Sequence, residues 1–181
     1  FNFMPFYSNQ SIKKIGQMLK SGKVNYWSGN EGTQFEKEFS SYLGNRFSVA
    51  LSNGSVALEI ALQALKLKKG DEIIVSPRSF IISASCTLNL GLKPIFADVD
   101  ENGNLSIEDI KKVYNKKVKA IIVVHLNGLS CDLDPIIRFV KRNKIFLIED
   151  CSQAHGAFYK GKSVGSFGNI STWSFCQDKI I

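Results

Sequence analysis

A short turn, Ser52-Asn-Gly-Ser55, is the first feature of the sequence that could take part in chemistry. It lies between a predicted strand and a predicted helix, where free backbone N–H groups and the positive end of the helix attract an anion. A phosphate group would fit there. Serine and asparagine also cap helices without binding a ligand, so the turn alone leaves both interpretations open.

A carboxylate and a lysine supply two further reactive groups. Asp150 ends the predicted strand 145–148, at the edge of an open α/β sheet where ligands gather, and it could pair with a protonated ring nitrogen. Taken alone, such an acid is more often only a cap or the remnant of a metal site. Lys179 follows an aromatic-rich stretch with few charges. Such surroundings lower the proton affinity of an amine and make it a nucleophile toward an aldehyde, although most lysines are only surface charges.

The three features together match one cofactor. A turn for the phosphate, an acid for the pyridinium nitrogen and an amine for the aldehyde are the contacts that pyridoxal 5'-phosphate (PLP) requires. This combination is much more specific than any one of its parts.

Alternating helix-like and strand-like segments must position these residues. The pattern predicts an α/β fold, a mostly parallel sheet with helices on both faces. The predicted strands are 47–51, 72–75, 94–97, 120–124 and 145–148, and the predicted helices are 11–21, 33–43, 56–67, 83–90, 107–114 and 135–142. Residues 24–32 are expected to form an irregular loop, and 163–179 to form loop and short strands. We expect an N-terminal arm and helix over 1–32 and a PLP-binding large domain over 33–181, incomplete at its C-terminal end.

Composition narrows the class of protein. The 181 residues are 44% hydrophobic and 22% charged, which is typical of a globular domain with a substantial core. A net charge of +7 favours acidic partners, but the lysines are scattered without interleaved aromatics, which argues against nucleic-acid binding. The longest aliphatic run, 120–124, is too short to cross a bilayer, and no opening segment resembles a signal peptide.

The four cysteines lie far apart without a CxxC pair, and the sequence has only two histidines. This pattern indicates neither a metal site nor a disulfide framework, so we expect reduced thiols in a cytoplasmic protein.

Six segments, in this order, resemble the DegT/DnrJ/EryC1/StrS family of sugar aminotransferases, which have the aspartate aminotransferase fold. They are SNGSVA at 52–57, PRSF at 77–80, DVD at 98–100, HLNG at 125–128, EDCSQAHG at 149–156 and SFCQDK at 174–179. The likeness runs from about Ser11 to the last residue, and its last two motifs are the specific ones.

The resemblance implies how the cofactor's phosphate is held. Ser55 matches the family's helix-start hydroxyl, which binds the phosphate together with the neighbouring amides, those of Gly54 and Val56. Ser174, five residues before the lysine, matches a second phosphate-binding hydroxyl.

The resemblance also implies how the cofactor's ring is held. Asp150 matches the acid that keeps the pyridine nitrogen protonated, and Lys179 matches the lysine that bonds to the aldehyde carbon. Phe80 falls where an aromatic lies against the ring face, and Gln153 falls where a polar side chain approaches the phenolic oxygen.

The implied activity is amino transfer, with an amino acid, usually glutamate, as donor and a nucleotide-linked keto-sugar as acceptor. Members of the family that remove a hydroxyl carry histidine at the lysine position, so Lys179 favours amino transfer. Such enzymes serve cell-surface polysaccharide or deoxyaminosugar biosynthesis. The family's chains are about twice this length, so the resemblance implies a missing small C-terminal domain and a homodimer whose partner completes the site.

Some residues depart from the family pattern or carry a structural interpretation. Asn127 stands where we expect an aromatic, Cys176-Gln-Asp replaces a triplet that usually begins with histidine, and Ile180 replaces a frequent asparagine. These changes affect the choice of substrate more than the cofactor. We interpret His155 as packing beneath its loop. We expect three aromatic side chains to fill the core: Trp27, Trp173 and Phe175.

Two alternatives belong to other classes. The first is a non-catalytic or truncated PLP-fold protein with a binding or regulatory role. The second is a nicotinamide-binding Rossmann domain, which is disfavoured because no GxGxxG opens a βαβ unit.

Overall fold

The structure is a computed structural model that describes residues 7–179. The chain divides into two compact units, the first ending at Ala50 and the second beginning at Leu51. The boundary expected from the sequence, between residues 32 and 33, remains a prediction.

Two helices make up most of the first unit: α1 (Asn9–Ser21) and α2 (Glu31–Leu43). Ser8 caps α1, because its side chain accepts a hydrogen bond from the Ser11 N–H at 3.1 Å. Gly22 and Gly44, both with φ of +68°, end the two helices in the left-handed conformation that glycine adopts readily. Both predicted helices are confirmed.

Two predictions in this unit are wrong. Residues 47–50 form no strand: the N–H of Ala50 bonds to the Glu36 carboxylate at 2.8 Å, and Phe47 and Val49 are 75% and 73% exposed. Trp27, expected in the core, is 93% exposed. It lies in a tight turn organised by Asn25, whose side-chain oxygen accepts the Trp27 N–H at 3.0 Å. Both predictions relied on apolar character alone, which does not show whether a side chain is buried.

A five-stranded parallel sheet forms the centre of the second unit. Its strands lie in the order β2-β1-β3-β4-β7. They are β1 (Glu72–Val75), β2 (Lys93–Phe96), β3 (Val118–Val124), β4 (Phe146–Asp150) and β7 (Ile170–Thr172), and a small hairpin of β5 (Phe158–Tyr159) and β6 (Lys162–Ser163) precedes β7. Four predicted strands are confirmed, as is the prediction of loop and short strands for 163–179.

Helices cover both faces of this sheet. The helices are α3 (Gly54–Ala64), α4 (Ile82–Asn89), α5 (Ile107–Val113) and α6 (Leu133–Asn143). Side chains alternate between the faces of a strand. Ile73 and Ile148 therefore pack with Leu58 of α3, while Ile74 and Leu147 pack in the core on the opposite face, against α5 and α6. The predicted fold class is confirmed.

The order of the strands also locates a crevice. From β1 the chain runs to β2 on one side of the sheet and then to β3 on the other, so the order reverses between β1 and β3. Ligands of open α/β sheets bind outside the carboxyl ends of the strands at such a point. Within residues 7–179, no helix combines the length and the apolar character needed to cross a membrane.

Candidate active site

The loops that follow β3 and β4 are tied to their neighbours along the carboxyl edge of the sheet. The Asn104 side chain, in the loop after β2, donates to the Leu129 carbonyl and accepts from the Leu126 N–H, both at 3.1 Å. The next link is the Asn127 N–H, which donates to the Gln153 side-chain oxygen at 2.8 Å. The predicted Gln153 thus lies in a fixed row of loops, and its amide nitrogen is left to donate elsewhere.

Asn127 has a backbone reason for departing from the family pattern. Its φ is +53°, in the left-handed region that asparagine tolerates better than an aromatic or branched residue does.

The predicted phosphate turn begins α3. The Asn53 side chain caps the helix by accepting the Val56 N–H at 2.9 Å, which leaves the amides of Gly54 and Ser55 as the less engaged donors of this turn. A Cβ added to Gly54 would lie 3.0 Å from the Cβ of Ser174. The structure therefore places the two predicted phosphate-binding segments in direct contact.

Asp150 is buried at the end of β4, where its register partner is Thr172 of β7. One of its carboxylate oxygens accepts the Ser152 N–H at 3.1 Å. By alternation along the strand, Asp150 shares a face with Ile148, the face covered by α3 and α4. The acid therefore lies on the same side of the sheet as the phosphate turn.

Residues 173–179 continue directly from β7, and we name them the lysine arm. The Ser174 hydroxyl accepts the Cys176 N–H at 3.4 Å, and the Lys179 N–H donates to the Cys176 carbonyl at 2.9 Å. The Lys179 side chain is 21% exposed, with its amine 3.3 Å from the Asp178 carboxylate. Trp173 is buried, as predicted, whereas Phe175 is 48% exposed because it lies on the irregular arm rather than on a strand, so the core role expected for it is wrong.

His155 joins the loop after β4 to the lysine arm. Its ring meets Trp173 and Phe175 edge-on, each with 5.2 Å between ring centroids. The predicted packing role is therefore visible. Burial, and then the positive charge of Lys179, lower the pKa of His155, while the backbone of Ser174 opposes this shift. The imidazole is thus neutral at pH 7.

Glu149 organises the approach to β7, a role that the sequence did not indicate. Its carboxylate, fully buried, accepts hydrogen bonds from the N–H groups of Gly165, Phe167 and Gly168 at 2.8, 2.8 and 2.6 Å, and it lies 3.1 Å from His125 Nε2. Burial alone would raise the pKa of Glu149, but the hydrogen bonds outweigh it and hold the pKa below its usual value. The glycines at 165 and 168 were the only signal in the sequence.

His125, Glu149 and Cys151 lie close enough together to suggest a metal site. The hydrogen bonds argue otherwise. His125 Nδ1 accepts the Cys131 N–H at 3.1 Å, so the ring proton resides on Nε2 and is donated to Glu149. Nε2 then has no free lone pair for a metal. Burial also raises the pKa of the Cys151 thiol.

The contacts thus join most of the predicted residues. Ser174 meets the phosphate turn, and Asp150 lies beside the strand that leads into the lysine arm. Phe80 is exposed in the loop after β1, and no described contact joins its side chain to this group within residues 7–179.

A profile of the DegT/DnrJ/EryC1/StrS aminotransferase family matches residues 6–181. The chain belongs to this family. The resemblance inferred from the six motifs is therefore confirmed.

Individual aminotransferases are similar to this chain along almost its whole length. GDP-perosamine synthase of Escherichia coli O157:H7 is 38% identical over an alignment of 183 positions, which covers 99% of this chain and 50% of the relative. A dTDP-3-amino-3,6-dideoxy-alpha-D-galactopyranose transaminase of Aneurinibacillus thermoaerophilus is 36% identical over 93% of this chain and 46% of its own. The chain spans about half the length of the curated relatives it matches.

Solved structures of aminotransferases have the same fold. An aminotransferase from Psychrobacter cryohalolentis is 47% identical with a TM-score of 0.96, over 98% of this chain and 45% of its own. The PLP form of a putative sugar aminotransferase from Streptococcus pneumoniae is 26% identical with a TM-score of 0.91, over 97% of this chain and 48% of its own.

Proposed function

We propose that this chain forms the cofactor-binding part of a PLP-dependent aminotransferase, which moves an amino group from an amino acid, glutamate, to a nucleotide-linked keto-sugar. The observation that carries the proposal is the contact between Gly54 and Ser174, on the side of the sheet to which Asp150 also points. It brings a phosphate-binding turn, an acid and the lysine arm to one edge of the sheet.

The residues present fit PLP. The cradle at Gly54 is closed to a Cβ, as is expected where a backbone must approach a neighbouring group closely. The donors around it, the amides of the α3 start and two serine hydroxyls, are suited to a phosphate. The acid at the edge, Asp150, is suited to a protonated ring nitrogen. When bound, PLP supplies an electron sink that stabilises negative charge on the α-carbon of an amino acid.

The chain's own residues then have distinct tasks. Gly54, Ser55 and Ser174 would bind the phosphate, whereas the amide of Val56, predicted with them, is engaged by the Asn53 side chain. Asp150 would hold the ring nitrogen in its charged form by pairing with it. Phe80 would pack against the ring, and Gln153 would donate to the phenolic oxygen from the row of loops that fixes it. Lys179 would hold the cofactor at its aldehyde carbon, and its amine is the group that would hold and return the proton that moves during the reaction.

The donor and acceptor are proposed from the relatives. Names such as GDP-perosamine synthase and dTDP-3-amino-3,6-dideoxy-alpha-D-galactopyranose transaminase describe amino transfer to sugars that carry a nucleotide. The relatives also include a spore coat polysaccharide biosynthesis protein of Bacillus subtilis, which supports a place in cell-surface polysaccharide or aminosugar biosynthesis. The proposal includes a cytoplasmic homodimer, and the free cysteines at 86, 131, 151 and 176 are consistent with a reducing compartment.

Covalent trapping tests the proposal. Full-length protein is incubated with PLP, reduced with borohydride and digested, and the modified lysine is identified by mass spectrometry. We expect modification at Lys179 and none in Lys179→Ala, while Lys160→Ala is the control because Lys160 is an exposed lysine paired with Asp134. Asp150→Asn should retain PLP but lose turnover with glutamate, since the ring nitrogen is no longer held protonated. Modification at another lysine, or full turnover by Lys179→Ala, would contradict the assignment.

A further inference from the structure

His155 carries a feature that packing does not explain. Both of its ring nitrogens are shielded from solvent, and neither makes a well-formed hydrogen bond within residues 7–179. The Ser174 backbone interacts with the ring as an acceptor, which leaves the second nitrogen as an acceptor without a donor. An unpaired buried polar atom costs about 1–3 kcal/mol. A phenylalanine would make the same edge-on contacts with Trp173 and Phe175 without that cost.

The surroundings of His155 contain a donor with unused hydrogens. The two aromatic rings that enclose the imidazole belong to the lysine arm, so the ring is inserted into the segment that ends at Lys179. The Lys179 ammonium has three hydrogens, and among residues 7–179 its side chain makes one hydrogen bond, to the exposed Asp178 carboxylate at 3.3 Å. A buried acceptor without a donor thus packs on the segment that carries a partly buried donor with spare capacity, and the charge of that donor acts on it.

We propose that His155 is a positioning residue for Lys179: its neutral imidazole, held between Trp173 and Phe175, accepts a hydrogen bond from the amine and directs it toward the site. The inference rests on the proposed function, in which the Lys179 amine must reach the cofactor. The packing role predicted from the sequence becomes part of this function: the ring contacts orient the imidazole, and one of its nitrogens accepts the hydrogen bond from Lys179.

The electrostatics of the pair supply an independent measurement. The groups that act on His155 are Lys179 and the backbone of Ser174, together with burial, and the positive charge of Lys179 lowers the pKa of the imidazole. Removing that charge must therefore raise the pKa of His155 while burial keeps its own effect. Such a rise would establish that the two side chains are neighbours in solution, which the proposed hydrogen bond requires.

The first experiment is a histidine titration by NMR on the full-length protein without PLP, with the His155 signal assigned by its absence in His155→Phe. We expect the pKa of His155 to shift upward in Lys179→Met and to stay unchanged in Lys160→Met. An unchanged titration in Lys179→Met would overturn the proposal. This measurement needs no bound cofactor, so its failure is distinct from a failure of Lys179 to capture PLP.

The second experiment compares two substitutions of His155 by PLP affinity and by covalent trapping at Lys179. His155→Phe keeps the ring contacts and removes the acceptor, so PLP binding should weaken about tenfold, the loss that a hydrogen bond to a charged group represents. His155→Gln removes the ring but keeps an acceptor, and it should recover part of that loss. If His155→Phe binds PLP as the wild type does, packing is sufficient and the proposal is wrong.

Discussion

Replacing Glu149 with glutamine is the most informative perturbation of the fold that positions the site. Glutamine has nearly the same shape as glutamate, but one of its two acceptor oxygens becomes an NH₂ donor. The retained oxygen can still accept the N–H groups of Phe167 and Gly168, which now bond to one carboxylate oxygen. The NH₂ group would then face the Gly165 N–H and His125 Nε2, which bond to the other oxygen.

The expected loss follows from those two mismatched donors. Each buried donor without an acceptor costs about 1–3 kcal/mol, which gives about 2–6 kcal/mol for the pair. His125 cannot relieve its mismatch by moving its proton, because Nδ1 already accepts the Cys131 N–H. Removal of a buried charge offsets part of the cost, so we expect a net loss of about 2–4 kcal/mol in the free energy of unfolding.

Urea denaturation at pH 7 measures this loss on the full-length protein. Asp134→Asn is the matched control, because the main partner of the Asp134 carboxylate is the exposed Lys160, with smaller contributions from Arg138 and Tyr159. It should change the free energy of unfolding by about 0–1 kcal/mol. A loss below about 1 kcal/mol in Glu149→Gln would refute the reasoning, because the buried carboxylate would then contribute no more than an exposed one.

Four further predictions have simple assays. The pKa of Glu149 is held below its usual value in the folded protein, so the ionised carboxylate stabilises the fold fully above about pH 4.3. This stabilisation is lost as the pH falls through the pKa of the folded state. Acid unfolding followed by circular dichroism should therefore be less steep in Glu149→Gln. Asn127→Ala should lower the free energy of unfolding by about 1 kcal/mol, because φ is +53°, whereas Asn127→Gly should be nearly neutral in a thermal melt. Gly54→Ala should weaken PLP binding in a fluorescence titration by pushing Ser174 away, and Gly16→Ala, where a Cβ meets nothing within 4 Å, should not. Peptide mapping after thiol labelling of the native protein should find the exposed Cys176 modified first. The three buried thiols, Cys86, Cys131 and Cys151, should be protected, because burial raises the pKa of each, to about 12 at Cys86 and Cys131.

The sequence predicted the elements that follow local rules. Runs of branched residues at 72–75 and 120–124 are buried in the sheet, and apolar residues at helical spacing mark α1, α2 and α6. The same logic failed at Phe47 and Val49, because composition indicates a strand but cannot show whether a neighbouring strand is available to pair with it.

The site was predictable in part for the same reason. Asp150 follows from the position of β4, since strand ends meet at one edge of a parallel sheet. The contact between Gly54 and Ser174 could not be derived from spacing, because it joins segments far apart in the chain. The role of Glu149 depends on three backbone N–H groups, and backbone donors leave little trace in residue type beyond the two glycines at 165 and 168. The roles of the remaining predicted cofactor-binding residues stay predictions.

Two neighbouring carboxylates at the end of β4 should respond to protein engineering in opposite ways. The first, Glu149, uses both carboxylate oxygens to bind backbone N–H groups of its own chain, so a replacement there destabilises the fold. The second, Asp150, accepts the Ser152 N–H with one oxygen, and its other oxygen can bind a ligand. Changes at position 150 should therefore alter the chemistry of the cofactor and leave the fold intact, whereas changes at 149 should destabilise the fold, although simple inspection of the motif would treat the two acids alike.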